Sequence, residues 1–289
     1  MNTMQIWLAA ARPKTLPISV GPVMLGTVLA FNEGSFNLFL FLMTLFTALG
    51  LQICANFAND YFDFVKGSDT EDRKGPLRVT QAGLIPLPVM KRALFIAFGI
   101  TAVLGCFLVW HGGLVMAILV ALSLLSAALY TAGPFPLAYL GLGDLFVFLF
   151  FGPIAVAGAY FLQTKHFSWV SVVVGIAAGA LSTLPLVINN IRDREEDVKA
   201  NKKTLVVRFG KFFGQLEYVI CLLIGSSIPF LFLLKRPFCL FSLLFLIPVF
   251  PMVKAVFTYS DPRDLNKVLA KTGQVLMLYY ALFCIGWGL

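Results

Sequence analysis

Nine of the fourteen carboxylates in this chain fall in two short stretches, each directly after an apolar run long enough to cross a membrane. The first stretch reads Asn59-Asp60-Tyr61-Phe62-Asp63 and continues to Asp69, Glu71 and Asp72. The second reads Asn189-Asn190-Ile191-Arg192-Asp193 and continues to Glu195, Glu196 and Asp197. On a helix, Asn59 and Asp63 share a face, Asp60 stands about 100° away, and Asn189, Asp193 and Asp197 form one stripe at i, i+4 and i+8. Gly67 then breaks the first helix and turns the chain toward Asp69 and Asp72. Each stripe offers hard oxygen ligands. Mg2+ prefers such ligands and commonly combines one or two carboxylates with phosphate oxygens of a bound substrate. A diphosphate cannot approach bare carboxylates, and metal ions bridging the two remove the repulsion. Arg73, Lys74, Arg78, Arg192, Arg194, Lys202 and Lys203 are the cations at hand to hold phosphate. For a lone Asp in such a loop, an exposed ion pair is the better reading. Two clusters with the same Asn-x-x-x-Asp start, both at helix ends, favour a metal and phosphate site.

The elements that must position these residues are membrane helices. The chain has 289 residues, 59% of them apolar and 12% charged, against roughly a quarter charged in a soluble domain. Windows of about 20 apolar residues fall at 17–32, 38–58, 90–110, 114–132, 141–162, 168–190, 214–234, 238–257 and 268–288. The sequence therefore predicts an all-α polytopic membrane protein, nine transmembrane helices in one domain over residues 1–289. No short apolar stretch with a small-residue cleavage site suggests a removable leader. Runs such as Gly175, Ala177, Ala178, Gly179 and Ala180 suit close helix packing in lipid. The five cysteines are scattered singly and read as packing residues.

With the N-terminus placed in the cytoplasm, only Lys165, Lys235 and Arg236 of the 22 Lys and Arg fall outside, and 19 lie on the cytoplasmic side. That bias sets the orientation. It accounts for the net charge of +8 without a nucleic-acid partner, and makes anionic lipid headgroups the neighbours of those loops. Two cytoplasmic connections, 59–90 and 191–213, are long and charged, as functional loops are. They follow the second and sixth spans, so the chain reads as two pseudo-repeated helical halves. His111 and His166 lie away from both acidic clusters, which disfavours a His-based metal site.

The pattern Asn59-Asp60-x-x-Asp63 with Lys66-Gly67-x-Asp69, and Asn189-Asn190-x-Arg192-Asp193-x-x-x-Asp197 with Lys203-Thr204-Leu205 downstream, resembles the UbiA superfamily of intramembrane aromatic prenyltransferases. The resemblance covers nearly the whole chain, including Arg12-Pro13-Lys14-Thr15 near the start. The segments Tyr130-Thr131-x-Gly133-Pro134, Gly141-Leu142-Gly143-Asp144 and Phe151-Gly152-Pro153 are most similar to the branch that prenylates 1,4-dihydroxy-2-naphthoate for menaquinone. Two departures stand out: Gly67 occupies a position where many members carry a third Asp, and Pro134 and Phe135 stand where many carry a Lys.

The resemblance implies a helical bundle around a central cavity, with two Mg2+ ions between the clusters at its cytoplasmic end; the compact loops and the absence of eukaryotic sorting features point to a bacterial inner membrane. It implies Asn59, Asp63, Asp193 and Asp197 as metal-side residues, Asp60, Asp69 and Asn189 as further ligands, and Arg73, Lys74, Arg78, Arg192, Lys203 and Tyr130 as substrate-binding residues. A polyprenyl diphosphate would set its head on the metals and its tail in lipid. Loss of diphosphate leaves an allylic cation, which an aromatic acceptor such as dihydroxynaphthoate attacks through ring carbon with loss of CO2. Tyr61, Tyr130 and Tyr139 are candidates to face that cation. Asp144 either touches the acceptor or caps the following helix. Other acceptors (4-hydroxybenzoate, homogentisate, another naphthoate, haem) stay open. A transporter is disfavoured because span centres carry essentially no ionisable groups.

Overall fold

The computed structural model describes residues 1–68 and 73–289; Asp69, Glu71 and Asp72 lie outside the described residues. Those residues form helices and connecting turns, with no strand among them. In chain order the α-helices are α1 (Thr3–Ala11), α2 (Pro17–Asn32), α3 (Leu38–Val65), α4 (Leu87–Leu129), α5 (Gly143–Phe150), α6 (Pro153–Thr164), α7 (Trp169–Arg192), α8 (Arg194–Lys199), α9 (Leu205–Phe209), α10 (Lys211–Ser227), α11 (Leu246–Thr258) and α12 (Leu265–Gly288). Among the described residues seven helical segments are long and apolar enough to cross a membrane, or eight if the bent pair Thr3–Thr15 and Pro17–Asn32 forms one span. The all-helical membrane architecture expected from composition is the architecture of the chain.

The sequence count of nine spans divides the α4 segment in two. A straight helix of 43 residues would measure about 64 Å, twice the hydrocarbon thickness. At Gly113 the backbone leaves the helix (φ 63°, ψ −150°). A side-chain carbon placed on Gly105 would meet Val120 at 2.6 Å, so the two arms fold back on one another. Glycine is the residue that accepts this positive φ without strain. The lipid-facing character of this hairpin is plain in Phe95, Ile96, Ile100, Val103, Trp110 and Leu114, all more than half exposed.

The centre of the bundle is α7. Some 78% of its apolar window is buried inside the protein, against 22% for α3 and for α4. Its small residues let backbones touch, as the sequence suggested. A side-chain carbon on Gly175 would lie 2.5 Å from Pro153 Cα, and one on Gly152 would lie 2.6 Å from Gly179 Cα. These contacts fall where the span between 141 and 162 is interrupted: α5 ends at Phe150, and α6 restarts at Pro153, whose fixed φ suits a helix's first turn. The break between α5 and α6 therefore rests directly on α7, about three helical turns before Asn189.

One prediction about local structure is corrected. Asn189, Asp193 and Asp197 do not ride one uninterrupted helix. α7 stops at Arg192, Asp193 takes φ −93° and ψ 8°, and α8 begins at Arg194. The i, i+4 hydrogen bonds persist through the join, Asp193 N–H to Asn189 O and Asp197 N–H to Asp193 O, both 2.8 Å. On a regular helix neighbouring side chains stand about 100° apart. The turned backbone at Asp193 lets its carboxylate face the adjacent Arg192 instead.

Candidate active site

Helix α3 carries the first set of polar groups on one face, at Gln52, Asn56, Asn59 and Asp63. Asn56 Nδ2 donates to Ala11 O at 2.9 Å, and Gln52 Nε2 approaches Thr15 Oγ1 at 3.4 Å. These bonds fasten the corner between α1 and α2 to α3. Arg12 sits at that corner in a left-handed conformation (φ 53°), uncommon for a residue with a side chain, and lines the same cavity as Asn59 and Asp63. The helix ends as the sequence suggested: Gly67 takes φ 70°, and Ser68 N–H donates to Asp63 O at 2.9 Å. An Asp at position 67 would carry its side chain in that left-handed conformation at a cost.

Asp63 is buried, at 2% exposure, and surrounded by donors. Tyr139 Oη donates to its Oδ1 at 2.9 Å, while Arg78 Nη2 and Lys202 Nζ each lie 3.4 Å from Oδ2. Ser68 Oγ in turn bonds Tyr139 Oη at 2.5 Å. The ammonium groups of Lys66 and Lys202 lie 4.6 Å and 4.9 Å from the Tyr139 ring centre, a favourable placement over an aromatic face. Lys66 Nζ also donates to Thr131 O at 2.7 Å. The turn after Tyr130, which has no cation of its own, thus receives one from the end of α3. Burial pushes the Lys66 ammonium pKa down, with Asp63 working against it.

The second cluster faces the first. Arg192 grips Asp193 with two parallel bonds of 2.6 Å, the fork geometry of a strong charge-assisted pair. A carboxylate has about four lone-pair positions, so two remain on Asp193. Arg192 Nη1 also donates to Asn266 Oδ1 at 2.9 Å, and Asn266 Nδ2 donates to Lys74 O at 2.8 Å. Lys74 N–H bonds Glu196 Oε1 at 3.0 Å, and Lys74 Nζ pairs with Glu195 Oε2 at 2.7 Å. The loop that follows the first cluster is therefore fastened over the second. Burial pushes the Asp197 carboxyl pKa up to about 7, with Lys202 pulling it down and Asp193 and Asp63 adding to the rise.

Between the clusters lies a polar cavity of about 150 Å³. Of the residues foreseen for the site, Asn59, Asp63, Asn189, Asp193, Asp197, Asp144, Arg73, Arg78, Arg192 and Tyr130 line it. Asp60 does not line it: it is buried a third of a turn round α3, within electrostatic reach of Arg12 and Arg73. Lys74 is engaged with Glu195, and Lys203 faces solvent while its neighbour Lys202 faces the cavity. Tyr61 packs edge-on against Phe62 beside α1. Tyr139 supports Asp63 from behind and lines neither cavity. Arg12 was visible in the sequence only as part of a motif, and nothing in its spacing assigned it to the site.

Asp144 does not cap α5. The capping position is Leu142, and no side chain caps that end. Asp144 instead accepts from Asn190 Nδ2 at 3.2 Å, is 6% exposed and lines the cavity.

The donors present suit a hard, oxygen-preferring divalent cation. Asn59 Oδ1 is shielded from solvent and accepts no hydrogen bond among the described residues, and four carboxylates, Asp63, Asp144, Asp193 and Asp197, share its cavity. Among the described residues no three His, Cys, Asp or Glu side chains converge closely enough to hold a metal alone. A metal here needs oxygens from a bound ligand to complete its shell, the arrangement common for Mg2+ with phosphates.

An apolar cavity of about 270 Å³ adjoins the polar one, sharing Arg12, Thr15, Asn59, Tyr130, Leu186 and Asn189 as common walls. Its remaining lining includes Pro22, Val23, Leu51, Leu119, Phe146 and Phe150. A charged head and a hydrocarbon tail thus have contiguous places.

Comparisons with known proteins bear on the family and the fold. Residues 19–285 match the model of the UbiA prenyltransferase family. The chain is 40% identical to a 1,4-dihydroxy-2-naphthoate octaprenyltransferase of Escherichia coli, over 98% of this chain and 94% of that one. It is 34% identical to the protein of that description from Mycobacterium tuberculosis, over 97% and 95%. In fold it is similar to a UbiA homolog from Aeropyrum pernix (TM-score 0.69, 13% identity, covering 95% of this chain and 97% of that one). It is also similar to one from Archaeoglobus fulgidus solved with DMAPP and Mg2+ (TM-score 0.65, 15% identity, covering 98% and 99%). Matched across almost its full length by the family model and by relatives at this identity, the chain belongs to the UbiA prenyltransferase family.

Proposed function

We propose that this protein transfers a polyprenyl group from polyprenyl diphosphate to 1,4-dihydroxy-2-naphthoate, releasing diphosphate and CO2 to give demethylmenaquinol. The observation that carries the reading is the join between the two cavities. Cationic and oxygen-rich groups surround one, hydrocarbon surrounds the other, and Asn59, Tyr130 and Asn189 stand at the boundary. The similarity to relatives described as 1,4-dihydroxy-2-naphthoate octaprenyltransferases supports the choice of acceptor.

In this reading Arg12, Arg73, Arg78 and Lys202 hold the diphosphate head, and the apolar cavity takes the first isoprene units. Asn59, Asp63, Asp193 and Asp197 would hold Mg2+, with Asn189 supporting. Mg2+ would neutralise the diphosphate and stabilise the charge that develops as it leaves. The allylic C–O bond breaks and its electron pair departs with diphosphate. The ring carbon bearing the carboxylate forms the new C–C bond, and the C–CO2 bond then gives its pair back to the ring. No proton has to be taken from that carbon, so the role of Asp144, held by Asn190, is to position the acceptor beside Tyr130. Tyr130, on both cavity walls, offers its ring to the allylic cation, and the closed loop 73–78 keeps water away from it. The pseudo-repeat of two helical halves is supported by the like placement of the clusters at the ends of α3 and α7. The excess of Lys and Arg in the loops on this side supports an active site facing the cytoplasm.

The test is direct. Membranes containing the chain, supplied with dihydroxynaphthoate and a prenyl diphosphate, are expected to form the decarboxylated prenyl product by mass. Failure with this acceptor, together with turnover of 4-hydroxybenzoate or homogentisate, would reassign the substrate.

A further inference from the structure

We infer that Lys202 is a tethered cation that competes with divalent metal for Asp63 and Asp197 and releases them when diphosphate enters, so that metal and diphosphate load as a coupled pair. The inference rests on reading the polar cavity as a metal–diphosphate site.

Lys202 Nζ lies 3.4 Å from Asp63 Oδ2 and 4.0 Å from Asp197 Oδ1, so one ammonium joins a carboxylate of the first cluster to one of the second. A tight ammonium–carboxylate bond measures about 2.7–2.9 Å. Lys202 is thus held by the field between two anions rather than by a close bond to either. A Mg2+ ligand oxygen must come to about 2.0–2.1 Å, and the lone pairs that Lys202 faces are the ones on the cavity side. Metal and ammonium exclude one another there.

The other two partners of Asp63 are poorly placed to yield. Arg78 is 7% exposed, and Tyr139 is locked by Ser68 on its far side. Lys202 differs in having a fixed base and a long stem. Its backbone N–H donates to Asp197 O at 2.8 Å, just after the left-handed turn at Asn201 (φ 55°). Its four-carbon side chain pivots above that anchor, with the head lining the cavity. An anion with several charges, arriving beside Arg12 and Arg73, gives the ammonium a better partner than either carboxylate. Metal arriving alone must displace Lys202 with nothing to receive it, whereas metal arriving with diphosphate frees the carboxylates and satisfies the lysine in one exchange. By linkage, each ligand then raises the affinity for the other equally.

Purified full-length protein tests this through Mn2+ binding measured by electron paramagnetic resonance, with and without inorganic pyrophosphate. Neither acceptor nor turnover is involved. The wild type is expected to bind Mn2+ weakly alone and at least about tenfold more tightly with pyrophosphate, within the usual range of site–site coupling. Lys202→Met should bind Mn2+ alone about tenfold more tightly than wild type, with the pyrophosphate effect reduced. Lys202→Gln serves as a second neutral variant should the first fold poorly. Lys202→Arg keeps the charge and should resemble wild type. Unchanged or weaker Mn2+ binding in both neutral variants would overturn the exchange. A wild type that binds no Mn2+ even with pyrophosphate would instead overturn the metal–diphosphate reading and this inference with it.

Discussion

Tyr139 donates its phenolic proton to Asp63 Oδ1 at 2.9 Å, joining the turn before α5 to the end of α3 across 76 residues. The bond fixes the orientation of the most enclosed carboxylate in the site, and the ring beneath it carries Lys66 and Lys202. Tyr139→Phe removes the bond and keeps the ring. A hydrogen bond to a charged group contributes about 1.5–3 kcal/mol. Its loss should lower kcat/KM by roughly 10- to 100-fold, with thermal stability in detergent little changed. Tyr139→Leu, which also removes the aromatic face, should lose more. Activity of Tyr139→Phe at the wild-type level would show that Asp63 needs no such support.

Asp63→Ala and Asp193→Ala are each expected to abolish prenyl transfer, by at least ~10²-fold, while the protein still inserts in the membrane. Radiolabelled prenyl incorporation and membrane fractionation measure the two properties separately. Undiminished turnover in either variant would remove these carboxylates from the chemistry.

Chelation with EDTA should stop the reaction, and readdition of Mg2+ should restore it. The expectation follows from the hard-oxygen donor set and from the lack, among the described residues, of a three-carboxylate nest that would trap metal by itself. Full activity after exhaustive chelation would contradict it.

Gly179→Leu should impair folding rather than chemistry. A side chain there collides with the Phe148 carbonyl on α5, and overpacking of a well-filled interior costs roughly 1–3 kcal/mol or more. The variant is expected to show reduced yield and a lower unfolding temperature. Gly99→Leu, with open space around it, is the control.

The stripe on α3 was legible because helical periodicity alone puts Asn59 with Asp63 while turning Asp60 away. The helix stop at Gly67 was likewise a local property of one residue type. What local pattern could not supply was the set of partners brought in by tertiary closure. Arg12 reaches the site because Asn56 and Gln52 fasten a distant corner to α3. Lys66 serves a turn 65 residues away, standing in where the sequence showed a missing cation. The choice between Lys202 and Lys203 is made by a single left-handed residue, Asn201, which turns one inward and the other to solvent. The join at Asp193 escaped prediction because the i, i+4 spacing stays intact while the backbone direction changes. The chain reversal at Gly113 is legible as two apolar windows separated by a short polar gap.

The apolar cavity has a further bearing on the products. At about 270 Å³ it is no larger than a site for a small drug-like molecule, room for only the first few isoprene units of a long chain. For a long polyprenyl donor, most of the hydrocarbon must trail beyond the protein, where no side chain measures it. Quinone length in the cell would then be decided by the synthase that builds the diphosphate, and this protein would attach short and long chains at similar rates.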